Sequence, residues 1–389
     1  MHRAHAGAVL GLAILLLAGC GLPSLPPPAV TSTALSSRQG LLTPVAPLAT
    51  ATGTADATAT PRIGATNGSE PAATLAPTSS AVETATPGAV DEVALARQVD
   101  AERLMADVRW LADDARKGRL IGSPEEDVVG AWLAERFESL NLQPFAGVGL
   151  HDYLQPFEVP AMLIPGRGGD SGQARGENIL AVLPGSARPH SYVYISAHYD
   201  GLGVCRGGQV CNGADDDATG VAAVLEAARI MSSAATAPEE TIVFVAFSGE
   251  EIGLWGSRAL CDLLATTGGG TPGLMLNLEV LGALEGFGNR VDVWDESEPS
   301  TEPLVAAVEQ AGQDLGFPVD RLGRDPGSDA LSLLRCGVPA VSVDVAWDQQ
   351  GHAAMHTPDD DPERIDVDGL YRAVQVIVAA AWRLANDGQ

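Results

Sequence analysis

Residues 192–231 read YVYISAHYDGLGVCRGGQVCNGADDDATGVAAVLEAARIM. The stretch opens on the apolar, β-branched run Tyr192 to Ala197 and closes on Ala218 to Met231, whose apolar positions have helical spacing. Between them lie His198-Tyr199-Asp200, a Gly-rich loop and three consecutive acids, Asp215 to Asp217. A near-continuous apolar strand leading to a helix belongs to a sheet covered on both faces.

Working outward, the alternation repeats. Strand-like runs are Asn178 to Leu183, Thr241 to Phe247, Leu274 to Leu278, Val291 to Trp294 and Val338 to Val343. Helical patterns are Asp91 to Ala115, Pro124 to Leu140, Trp255 to Leu264, Glu302 to Leu315, Asp329 to Leu334 and Val367 to Ala385. Ser123-Pro124 is a good N-cap and first-turn pair. The expected fold is α/β, with a central mostly parallel (mixed) sheet flanked by helices on both faces.

In such sheets ligands bind outside the carboxyl ends of the strands. Here those ends lead into His198 and Asp200, into Ser248-Gly249-Glu250-Glu251, into Glu279, and through a loop into His356-Thr357-Pro358. Packing acids together is costly unless cations neutralise them. Two imidazoles with several carboxylates suit Zn²⁺, and more carboxylates than one ion needs suit a pair of ions. A Glu-Glu doublet after a strand can divide its work: one side chain ligates and its neighbour takes a proton from water.

The ends of the chain read differently. An apolar run from Ala8 to Ala18 is too short to span a membrane and has the form of a signal-peptide core. It ends in Leu17-Ala18-Gly19-Cys20, which resembles a bacterial lipobox, so residues 1–20 are expected to be a lipoprotein signal peptide. Cleavage before Cys20 and its lipidation imply an exported protein anchored to the outer face of the cell membrane. Residues 21–90 contain 45 Ala, Thr, Pro or Ser and no Phe, Trp or Tyr; such a chain cannot bury enough apolar surface to order itself, and a disordered tether is expected. The remaining residues, 91–389, form the expected catalytic domain. The formal charge of −27 belongs to them, and Lys117 is the sole lysine, so no basic stripe is available and nucleic acid is excluded as a partner. With Cys20 used by the anchor, four cysteines remain in an exported chain. Cys205 and Cys211 bracket the Gly-rich loop and are the expected pair, which leaves Cys261 with Cys336.

Taken as an ordered set, His198-x-Asp200, Gly213-Ala-Asp-Asp-Asp-Ala-Thr-Gly220, Gly249-Glu-Glu251, Asn277-Leu-Glu279 and His356-Thr-Pro358 resemble the co-catalytic zinc aminopeptidases of peptidase clan MH, to which glutaminyl cyclases are related. The resemblance runs from Gly118-Arg119-Leu120-Ile121-Gly122-Ser123 to the last helix. It implies two zinc ions, one held by His198 and Glu279, the other by Glu251 and His356, with Asp216 bridging. It also implies Glu250 as general base and acid, Asp200 as the group orienting His198, and peptides as substrates cut at their N-terminal residue. Glu279 stands where the family usually has Asp, and Ala330 stands where many relatives have His. Asp215 and Asp217 replace the more usual Asn and are expected to be solvated or helix-capping acids; Asp359, Asp360 and Asp361 are expected to be loop acids. His352 lies four residues before His356, but the His-Thr-Pro match favours His356. His151 and His190 are expected at the surface, and Trp110, Trp132 and Trp382 in the core. Three rivals remain: a glutaminyl cyclase with one zinc, a non-catalytic binding lipoprotein, and a carboxypeptidase, for which Arg258, Arg321, Arg324 or Arg335 would hold the substrate's carboxylate.

Overall fold

The computed structural model describes residues 90–387 apart from 206, 267–272 and 348–349. The expected signal peptide, Cys20 and nearly all of the tether lie outside the described residues.

Eight strands form one sheet: β1 (Leu154–Pro160), β2 (Gln173–Leu183), β3 (Arg188–His198), β4 (Glu240–Phe247), β5 (Gly273–Leu278), β6 (Val291–Trp294), β7 (Val319–Leu322) and β8 (Ala340–Val345). Their order is β1-β2-β4-β3-β5-β8-β6-β7. The central strands β4, β3, β5 and β8 run parallel, whereas β1-β2, β2-β4 and β6-β8 are antiparallel. The expectation of a mixed, mostly parallel sheet is met.

The α-helices among the described residues are α1 (Glu92–Ala96), α2 (Ala101–Leu111), α3 (Pro124–Ser139), α4 (Thr219–Ser232), α5 (Trp255–Thr266), α6 (Glu302–Leu315), α7 (Asp329–Arg335) and α8 (Val367–Asn386). The single helix expected from Asp91 to Ala115 is broken because Asp100 caps a second one, its carboxylate accepting the Glu102 and Arg103 amides. Ser123 caps α3 as the sequence indicates.

Alternation along β3 divides the core. Val193, Ile195 and Ala197 face a cluster that includes residues of α2, α3, α4, α6 and α8, while Tyr192 and Tyr194 face a smaller cluster with α5 and α7. Fully burying each such aliphatic or Phe side chain stabilises by about 1.5–3 kcal/mol. Trp382 is buried, but Trp110 and Trp132 are only half-buried, stacked at 4.0 Å with Arg116 over the Trp110 ring; their hydrophobic faces satisfy each other at the rim. His151 and His190 are exposed, as expected. Among the described residues no helix is long and apolar enough to cross a membrane.

Candidate metal centre

The parallel strands bring their carboxyl ends to one edge of the sheet. β3 ends on His198, β4 runs into Glu250 and Glu251, β5 into Glu279, and the loop after β8 carries His356. The loop after His198 is clipped by the Cys205–Cys211 disulfide, Cα atoms 5.6 Å apart; Cys261 pairs with Cys336, so both expected pairings are present. Gly213 then turns the chain at φ 60°, where a Cβ would lie 2.3 Å from the Asp216 carbonyl oxygen. This turn aims Asp216 at the sheet edge. The Asp216–Asp217 peptide is cis.

Asp216 stands between the two imidazoles. Its Oδ1 lies 3.1 Å from His198 Nε2 and its Oδ2 2.9 Å from His356 Nε2. Glu279 Oε2 is 3.6 Å from the same His198 nitrogen, and Glu251 Oε2 is 3.6 Å from that of His356. Donor atoms fall into two groups, each within 4.8 Å: His198, Asp217 and Glu279, and Asp216, Glu251 and His356. Glu250 lines the adjoining cavity. Asp200 lies behind His198, its Oδ1 3.6 Å from Nδ1 and its carbonyl oxygen 3.2 Å away.

The donor set fits a cation on electrostatic grounds. Burial pushes the Glu250, Glu279 and Asp217 carboxyls well above the usual carboxylate range and Glu251 to about 8, although His198 opposes this in each case. Asp216 goes the other way: burial raises it, but hydrogen bonds from His198 and His356 outweigh burial and hold its carboxyl well below the usual range. Hydrogen bonding to Asp216 raises His356 to about 9. Imidazole nitrogens mixed with carboxylate oxygens suit zinc.

Several expectations need correction. Asp217 is not solvated: it is fully buried and belongs to the His198 group, while its oxygens also accept the His198, Gly220 and Val280 amides. Its helix-capping part is present through Gly220. Asp215 is also buried, because His352 Nδ1–H donates to it at 2.6 Å and the Gly282 amide at 2.8 Å. His352 thus supports the loop and is in neither donor group. Asp360 lies in a loop as expected but is not a solvated acid; it is 3% exposed and its two oxygens accept the Asp215 and Asp216 amides at 2.8 and 3.2 Å. Asp359 is exposed, and Asp361 accepts from Asn212. Ala330 packs into the smaller core cluster.

Sequence reasoning gave Arg119 no role, yet its guanidinium is fully buried and donates to the carbonyls of Leu111, Tyr199, Asn212 and Gly213 at 2.6–3.0 Å. A Gly-Arg pair before a helix carries no local signal of such a task.

A cavity of about 390 Å³ opens beside the cluster, lined by Asp216, Glu250, Glu251, Glu279 and His356 among others. Arg258, Arg321, Arg324 and Arg335 do not line it. Arg321 is paired with Asp295 and Glu302, and Arg258 is exposed. Arg324 and Arg335 line an adjoining depression of about 750 Å³ that shares Asp325 and Pro326 with the cavity but contains none of the clustered residues.

The profile described as "Peptidase family M28" matches residues 178–381. Aminopeptidase YwaD of Bacillus subtilis is 27% identical over 221 residues, covering 53% of this chain and 44% of that protein. Leucine aminopeptidase 1 of Uncinocarpus reesii is 27% identical over 219 residues, 54% of each. The chain spans about half the length of these curated relatives. Among solved structures, BSAP, a zinc aminopeptidase from Bacillus subtilis, superposes with TM-score 0.62 at 16% identity, over 74% of this chain and 96% of that one. The Fimbriiglobus ruber glutaminyl cyclase does so with TM-score 0.60 at 20% identity, over 73% and 95%. Those likenesses are of fold.

Proposed function

The chain belongs to peptidase family M28, and from that premise we propose that it is a di-zinc aminopeptidase, exported and lipid-anchored at Cys20, that removes N-terminal residues from peptides. The carrying observation is Asp216, which offers one oxygen to each of two imidazole sites. His198 and Glu279 would hold one zinc ion, with Asp217 beside them, and Glu251 and His356 the other. Zinc bound there supplies Lewis-acid polarisation of the scissile carbonyl and makes water more acidic.

The chain's own residues do the rest. Asp200 orients His198 and fixes the Glu250-Glu251 backbone. The Glu250 carboxylate takes a proton from the attacking water and passes it to the leaving amine. The charged residues of the lining are acidic apart from His356; they attract the substrate's free ammonium group, and no Lys or Arg lines the cavity to hold a terminal carboxylate. This favours an aminopeptidase over a carboxypeptidase. Export and anchoring rest on the sequence of residues 1–20, and residues 21–90 would serve as reach from the membrane.

The test is an assay of the purified protein on peptides with free and with blocked amino termini, with zinc measured on the same sample. Cleavage confined to free amino termini at two zinc ions per chain is expected; cleavage of blocked peptides overturns the reading. Labelled fatty acid on the wild type, absent in Cys20→Ala, tests the anchor.

A further inference from the structure

The cavity carries a carboxylate that the metal centre does not use. Asp344 lies in β8 and lines the cavity together with Ser342, two residues earlier on the same face. β8 pairs with β5 in the register Leu278↔Val343. Asp344 therefore falls beside Glu279, one strand spacing of about 5 Å away and on the same side of the sheet. It is 2% exposed. Its Oδ2 accepts the Trp294 Nε1–H at 2.5 Å, whereas Oδ1 is buried with no hydrogen-bond partner among the described residues. Buried carboxylate oxygens are normally satisfied, so an orphan beside a cavity marks a place where a ligand supplies the donor.

The surroundings say which donor. Trp294 and Trp347 stand edge to face with centroids 5.8 Å apart, and both line the cavity; aromatic rings attract cations. Leu254 and Met355 add apolar surface that suits a methylene stem. Asp325, itself buried, contributes another carboxylate to the lining, and none of the lining residues is Lys or Arg. An acidic side chain would be repelled, and an aliphatic one would leave Oδ1 unpaired.

We propose that this cavity receives the side chain of the substrate's first residue, and that Asp344 between the two tryptophans selects arginine or lysine there. The proposal rests on the aminopeptidase reading and names its substrate class. A guanidinium can give paired N–H groups to a carboxylate while its plane lies against an indole.

The test uses the full chain loaded with zinc and the p-nitroanilides of Arg, Lys, Leu, Ala and Glu, all with free amino groups. Values of kcat/KM for Arg and Lys at least about tenfold above Leu are expected, with Glu the poorest. Asp344→Asn keeps the size and an acceptor for Trp294; in protein with wild-type zinc content and melting temperature it should lower the Arg-to-Leu ratio at least about tenfold. Leu preferred by the wild type, or a ratio that Asp344→Asn does not move, overturns the proposal. Calorimetric binding of free arginine against free norleucine, which have no bond left to cleave, to the wild type needs no variant and no turnover. Tighter binding of arginine supports the pocket, and equal binding overturns it. Failure to cleave any of the anilides overturns the aminopeptidase reading instead.

Discussion

Asp200 holds the backbone of Glu250: its Oδ1 accepts the Glu250 amide N–H at 3.1 Å, and its Oδ2 takes that of Glu251 at 3.4 Å. One carboxylate thus fixes the acidic doublet while lying 3.6 Å from His198 Nδ1. Asp200→Asn keeps the volume but turns an NH₂ group toward a partner that is itself a donor. Activity or metal affinity should fall about 10–100-fold, as for other carboxylates behind metal-binding histidines. Zinc titration and kcat/KM on the same sample decide; wild-type values in both would leave Asp200 no orienting role.

Glu250 and Glu251 should separate by substitution. Glu250→Gln is expected to keep its zinc while kcat drops by about a hundredfold to ten-thousandfold, since only the proton carrier is lost. Glu251→Gln should lose zinc from the His356 side and regain part of its activity at high zinc. Metal analysis showing the opposite pattern would exchange the two roles.

Glu279→Ala leaves Asp217 as the remaining carboxylate of the His198 donor group, and three of Asp217's contacts are already with amides. About one tightly held zinc ion per chain is expected in this variant. Two ions retained at wild-type affinity would show that Asp217 suffices as the ligand.

The buried His352–Asp215 pair should make stability depend on pH. Burial pushes the His352 imidazole down, but Asp215 outweighs burial and raises it to about 9, above the ordinary value of about 6.5 in the unfolded chain. The pair's stabilisation is fully present below about pH 6.5 and disappears as pH rises through about 9. His352→Gln should cost about 3–5 kcal/mol at pH 6, because a buried carboxylate loses its counter-charge. Urea unfolding at pH 6 and pH 9 should show the gap from wild type narrowing; a constant gap would mean the pair is not ionic.

The two disulfides should contribute unequally. Cys261–Cys336 closes a separation of 75 residues and Cys205–Cys211 one of 6. Loop-closure entropy gives about 4 kcal/mol for the first and about 2 kcal/mol for the second. Thermal unfolding of Cys261→Ala/Cys336→Ala and Cys205→Ala/Cys211→Ala should rank them in that order. Peptide mapping that finds Cys205 and Cys211 as free thiols in oxidised protein would remove the basis for the smaller value.

The central strands were legible because strands buried on both faces are nearly continuous apolar runs, as in β4, where every residue is buried and Ile242 to Phe247 are all apolar. The edge strands β1 and β7 were not. β7 reads Val-Asp-Arg-Leu with no fully buried residue, and β1 contains two prolines; at an edge, half the strand's surroundings are solvent. His198, Asp216, Glu251, Glu279 and His356 could be picked out because strand ends and motifs place them. Asp360 and Arg119 could not, since each acts on backbone groups brought near only by the fold. No sequence spacing encodes a carbonyl's direction.

Arg119 sits well before residue 178, where likeness to the family profile begins, yet the oxygens it gathers belong to the loops that carry Asp216 and follow His198. Leu104, Val108, Leu111, Val129, Leu133 and Phe137, from α2 and α3, lie in the same apolar cluster as β3 and α4. The stretch that the family profile matches and the stretch that packs around the site are therefore different lines in this chain. A fragment cut to the recognisable peptidase region would leave its acid-bearing loop without its keystone.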